Sequence, residues 1–100
     1  MAIAVVTGGA GDIGTAICEV LGAAGYTLAV ADLTLDASSA AAALLVGKGY
    51  DAFGVGVDIT KPAEVDDLVA SVLGRGEVAA VINNAGVASA PDFEAGGDQD

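Results

Sequence analysis

Eight residues near the amino terminus, Thr7-Gly8-Gly9-Ala10-Gly11-Asp12-Ile13-Gly14, crowd four glycines into one loop, and the last six read G-x-G-x-x-G. Glycines in such a loop let the backbone turn sharply and approach an anion, whose charge the free N–H groups at a helix start can hold. A pyrophosphate is the ligand this arrangement takes. As bare punctuation the same glycines mean only a tight turn; the apolar run before them and the helical pattern after them favour the binding reading. Asp32 ends the next apolar run, eighteen residues past Gly14. A carboxylate there accepts hydrogen bonds from the 2′- and 3′-hydroxyls of an adenosine ribose and repels a 2′-phosphate, which selects NAD over NADP. No Arg or Lys lies between Asp32 and Lys48 to reverse that choice. As an ordinary turn residue Asp32 would do none of this.

The rest of the composition narrows the chemistry. In 100 residues there are three cations, Lys48, Lys61 and Arg75, against fourteen Asp and Glu, giving a formal net charge of −11. Too few positive groups exist to track a nucleic-acid backbone or hold an anionic membrane surface. With no His and with Cys18 as the single cysteine, neither a Cys/His zinc site nor a Ser-His-Asp or Cys-His mechanism can be assembled. No intramolecular disulfide is possible, which fits a reducing compartment. No apolar stretch reaches the roughly 18 residues that span a bilayer. The amino terminus carries no basic segment of the secretory kind, so a cytoplasmic location is expected.

These residues require elements that bring them together. Short apolar runs at 3–7, 26–31, 52–57 and 78–82 read as strands, alternating with helical patterns from Ile13 to Gly25, over 36–46, and from Pro62 to Gly74. That alternation marks βαβ units around a parallel sheet. Ile13, Ile17, Val20, Leu21 and Ala24 form the expected apolar face of the first helix. Thr60 is placed to cap the third, with Pro62 in its first turn and Arg75 near its far end. Val65, Leu68, Val69 and Val72 form its expected buried stripe. The expected fold is α/β and Rossmann-like: three layers, with a parallel sheet of about four strands in the order 3-2-1-4. It occupies 1–100 as one partial dinucleotide-binding domain, and 87–100 form an acidic loop or the start of a further helix.

At this point the sequence resembles the short-chain dehydrogenase/reductase family. The residues that carry the likeness are Thr7-Gly8 with Gly14, Asp32, Asp58-Ile59-Thr60 after the third strand, and Asn83-Asn84-Ala85-Gly86 after the fourth. The resemblance implies that Gly8, Gly9, Asp12, Ile13 and Gly14, with Gly11 of the glycine pattern, line the pyrophosphate and nicotinamide-ribose side of the cofactor. Asp32 and Leu33 would meet the adenosine ribose. Asp58 would meet the adenine edge, with Ile59 packed beside it. Asn83, Ala85 and Gly86 would pass close to the cofactor ribose, with Asn84 steadying the sheet.

Two departures stand out. The ordinary-length branch of the family has T-G-x-x-x-G-x-G, whose second glycine falls on Asp12; the spacing present is that of the longer, epimerase-like branch. The family also pairs a catalytic Tyr with a Lys four residues later and a Ser that positions substrate, yet Tyr26 is followed at that offset by Val30 and Tyr50 by Gly54. The expectation is therefore an amino-terminal, NAD-binding portion of an alcohol/ketone oxidoreductase, without catalytic residues in these 100 positions. Two alternatives stay open: a stand-alone nucleotide- or partner-binding module, associating through its edge strand or as a homo-oligomer, and a fragment of a sugar-nucleotide epimerase.

Overall fold

Consecutive apolar residues in the first strand serve two faces at once. In the computed structural model, which describes residues 2–84, β1 (Ala2–Thr7) sends Ala4 and Val6 to one face and Ile3 and Val5 to the other. A period-two strand buried on both faces needs this kind of run. The neighbouring β2 (Thr27–Asp32) repeats the arrangement with Leu28 and Val30 against Ala29 and Ala31. Ala85, Gly86 and the acidic stretch 87–100, for which the sequence also raised expectations, lie outside the described residues.

Around this pair, β3 (Ala52–Gly56) and β4 (Glu77–Asn83) complete an all-parallel sheet in the order β3-β2-β1-β4, as expected. Helices α1 (Asp12–Ala23) and α2 (Leu35–Gly47) cover the face of Val6 and Leu28. On the opposite face α3 (Pro62–Leu73) contributes Leu68 and Val72. The three layers thus carry two apolar cores, one on each side of the sheet. Gly54 has a packing reason: an added Cβ would lie 2.6 Å from the Ser39 nitrogen, so α2 rests directly on β3.

Several boundaries and contacts differ from expectation. The second strand begins one residue later, at Thr27, and runs through Asp32, while the fourth extends by one residue at each end. Thr34 caps α2 by accepting from the Ala37 N–H at 3.2 Å. Thr60 does not cap α3; Lys61 stands at that position without a side-chain cap, because the Thr60 hydroxyl and N–H both go to the Asp58 carboxylate, a stronger acceptor. Arg75 stacks its guanidinium 4.0 Å from the centroid of the Phe53 ring rather than sitting in the last helical turn. The period read for α1 is right but its face is not wholly covered: Ile13 and Val20 are 56% and 70% exposed, while Gly14 and Cys18 are the buried positions. In α3, Val69 is likewise exposed.

Candidate functional site

Parallel strands place all their carboxyl ends on one edge of the sheet, and the residues with chemistry gather there. Register aligns Thr7 with Ala31 on one side and Asn83 on the other, and Asp32 with Gly56. The chain leaves β1 toward the α1/α2 layer and enters β4 from the α3 layer. The strand order reverses between β1 and β4, the switch point beside which ligands bind in sheets of this kind.

The glycine loop is fixed by its own backbone. Gly8 has φ +65°, a left-handed conformation that glycine adopts without a steric penalty. Gly14 admits no side chain, since a Cβ would fall 2.1 Å from the Gly8 carbonyl oxygen and 2.7 Å from the Gly9 Cα. Gly9 is almost as confined, against Val30 at 2.8 Å and the Val6 oxygen at 2.9 Å, whereas Gly11 meets only the Gly8 oxygen at 3.6 Å. The Thr15 N–H makes the first hydrogen bond of α1, to the Gly11 carbonyl at 2.8 Å, and no side chain caps this end. The N–H groups of Asp12, Ile13 and Gly14 consequently have no acceptor among the described residues. Three orphan amides beside a cradle that a single Cβ would fill suit a pyrophosphate oxygen. Asp12, exposed at the first position of the helix, complements the dipole but opposes a bound anion.

Asp32 spans the loop and its own turn. One carboxylate oxygen accepts from the Ala10 N–H at 2.9 Å and the other from the Leu33 N–H at 2.8 Å. An ionised carboxylate offers about four lone-pair positions, so each oxygen keeps one for a further donor. Asp32, Leu33, Asp58 and Ile59 line a cleft of about 100 Å³ together with Thr7, Gly8, Ala31 and Val57. The Asp58 carboxyl is held below the ordinary carboxylate range by the hydrogen bond from the Thr60 hydroxyl, then by that from the Thr60 N–H. Asn84 is buried and donates to the Gly8 carbonyl at 3.2 Å, tying the end of β4 to the loop after β1. The Thr7 hydroxyl lies 3.1 Å from Asn83 Oδ1 and 3.2 Å from the Ile82 oxygen.

The structure brings together Gly8, Gly9, Gly11, Asp12, Ile13, Gly14, Asp32, Leu33, Asp58, Ile59 and Asn83 along this one edge. Sequence reasoning missed three supports. Thr15 donates its hydroxyl to the Gly11 oxygen at 2.8 Å. Thr60 binds Asp58, and Glu64 accepts from the Asp58 N–H at 2.9 Å. The spacing Asp58-x-Thr60 was the available signal, and it fitted a helix cap equally well. A larger apolar groove of about 350 Å³ between α3 and β4, lined by Val69, Leu73 and Val81 among others, touches the site only through Thr7, Ile59 and Asn83.

A parallel sheet of this order with a glycine loop at its switch point defines a Rossmann-like α/β protein. Residues 2–100 match the family described as short chain dehydrogenase, and the chain belongs to that family. L-2,3-butanediol dehydrogenase of Corynebacterium glutamicum is 42% identical over 91 residues, covering 86% of this chain and 34% of that protein. The 1-deoxy-11-beta-hydroxypentalenate dehydrogenase of Streptomyces avermitilis is 40% identical over 85 residues, covering 84% of this chain and 32% of that protein. Among solved structures, a hydroxysteroid dehydrogenase from Escherichia coli superposes with a TM-score of 0.77 at 28% identity, over 81% of this chain and 35% of that one. The chain thus spans about a third of the length of these relatives. Among the described residues no helix is long and apolar enough to cross a membrane.

Proposed function

We propose that this chain is the dinucleotide-binding portion of an oxidoreductase that interconverts alcohols and ketones, and that it takes NAD in preference to NADP. The observation that carries the reading is the placement of Asp32. Its carboxylate is anchored by the Ala10 and Leu33 amides and keeps one acceptor position on each oxygen, at the mouth of a loop whose Asp12, Ile13 and Gly14 amides have no acceptor among the described residues. Two vicinal ribose hydroxyls match two such oxygens, and a 2′-phosphate would meet a negative charge instead. When bound, the nicotinamide ring supplies the acceptor or donor of hydride. Gly8, Gly9 and Gly14 let the backbone come close to the pyrophosphate. Asp12, Ile13 and Gly14 donate their N–H groups to it, and Asn84 keeps the loop in register with β4. Asp58, Ile59 and Leu33 meet the adenosine end. Asn83, Ala85 and Gly86 belong beside the cofactor ribose.

The proton half of such a reaction needs a Tyr activated by a Lys four residues later, and no such pair occurs in these 100 positions. The chain alone is therefore expected to bind cofactor without turning substrate over. Calorimetric titration with NAD and NADP tests the Asp32 assignment. NAD should bind roughly tenfold or more tightly than NADP, because a hydrogen bond to a charged group is worth about that factor. Asp32→Asn should narrow the ratio to within a few-fold. Equal affinities in the unaltered chain contradict the assignment.

A further inference from the structure

The amino ends of the strands, opposite the edge that carries the glycine loop, hold a second cleft of about 360 Å³. Ile3 and Val46 give it apolar walls, while Thr27, Asp51, Phe53 and Arg75 bring polar and aromatic groups to it. A strand of six residues, roughly 17–20 Å, separates it from the dinucleotide edge. Two of its groups lack the partners their chemistry calls for. Thr27 is 8% exposed, and its hydroxyl has no hydrogen-bond partner among the described residues. An unpaired buried hydroxyl costs stability, and native structures seldom keep one without a reason. Arg75 forms no ion pair among the described residues, although acidic side chains outnumber cations fourteen to three. Its guanidinium is held over the Phe53 ring, 4.0 Å from the centroid. That contact steadies the cation without satisfying its fork of N–H donors with an acceptor.

We propose that this cleft is a second ligand site, which takes a small monocarboxylate bearing a hydroxyl group. Arg75 holds the carboxylate through paired N–H groups, the geometry that guanidinium and carboxylate share. The Thr27 hydroxyl donates to the same anion and so gains the partner it lacks. Asp51, exposed at the rim, accepts from the hydroxyl of the ligand, and Ile3 and Val46 border its carbon chain. A phosphate dianion is disfavoured, because one cation does not balance two charges and Asp51 repels the second. This site involves none of the residues assigned to the dinucleotide.

Titration of 3-hydroxybutyrate into the isotope-labelled 100-residue chain, followed by NMR, tests the proposal. Saturable shifts centred on Thr27, Phe53 and Arg75 are expected, unchanged by NAD. Butyrate, which lacks the hydroxyl, should bind several-fold more weakly, and inorganic phosphate more weakly still. Arg75→Lys keeps the charge without the fork and should weaken binding by roughly tenfold. Thr27→Val removes the hydroxyl at nearly constant shape and should move two readouts in opposite directions. Binding weakens by about fivefold or more, while the unfolding temperature rises by about 4–8 °C because an unpaired buried group is gone. A hydroxyl with a merely structural role would instead make Thr27→Val less stable, and that result overturns the proposal. So do shifts that never saturate, phosphate binding as tightly as 3-hydroxybutyrate, or an affinity unaltered in both variants. Displacement of 3-hydroxybutyrate by NAD would put it at the dinucleotide edge and overturn the second site, leaving the dinucleotide reading in place.

Discussion

Gly11 and Gly14 lie in the same loop, three residues apart, and obey different constraints. The Gly14 Cα faces the Gly8 carbonyl so closely that any side chain displaces backbone, whereas a Cβ on Gly11 makes an ordinary contact at 3.6 Å. Gly14→Ala should therefore cost about 1–3 kcal/mol of stability, the usual range for overpacking, and remove dinucleotide binding. Gly11→Ala should fold like the parent and keep binding. Thermal unfolding and calorimetry of the two variants separate these outcomes, and equal tolerance would contradict the cradle described here. The G-x-G-x-x-G spacing made the loop legible in the sequence, as the interval to Asp32 made that carboxylate legible. Which glycines are sterically required was not legible, because the demand comes from Gly8, Val6 and Val30 folding back on the loop. The two hydrogen bonds that Thr60 donates to Asp58 were hidden for a related reason: a Thr just before a helix serves as a cap unless a nearby carboxylate competes for it.

For α1, burial is decided by what lies against the helix, and a period alone does not record that. The apolar spacing from Ile13 to Leu21 located the helix, yet its deepest residues are Gly14 and Cys18, which pack toward β1 and β2. Ile13 and Val20 line an apolar groove with Asp12, Ala16 and Ile82. Burial pushes the Cys18 thiol up from an ordinary 9.0 to about 11. The folded state thus favours the neutral thiol. That contribution to stability is fully present below about pH 9 and is lost as pH rises through about 11. At pH 8 a thiol-specific reagent should label Cys18 only as fast as the protein opens, and labelling should accelerate in parallel with denaturant unfolding. Rapid labelling under native conditions would show that α1 does not pack as described. The short strands were located by their apolar runs to within a residue or two, which is the limit set by fraying and by registers such as the irregularity between Ile3 and Ala4 in the β1–β4 pairing.

At the scale of the whole molecule, strand order and layers followed from the βα alternation, because right-handed crossovers leave few ways to arrange it. The alternation does not disclose what covers the outer strand. Val81 on β4, Leu73 on α3 and Val20 on α1 are 62%, 58% and 70% exposed. An apolar edge of this kind promotes pairing, and a net charge of −11 opposes it. Sedimentation velocity should accordingly find lighter species at low ionic strength and heavier ones as salt rises and shortens the screening length from about 10 Å at 0.1 M to about 3 Å at 1 M. A monomer at every salt concentration would show that these faces do not associate. The same scarcity of cations means that any dinucleotide is held by backbone amides and by carboxylates accepting from hydroxyl and amino groups. That claim is tested most directly by titrating NAD into the 100-residue chain and following both heat and thermal unfolding. Saturable binding at one site is expected, with an unfolding temperature that climbs with the logarithm of NAD concentration. Absence of heat together with an unchanged unfolding temperature would contradict it.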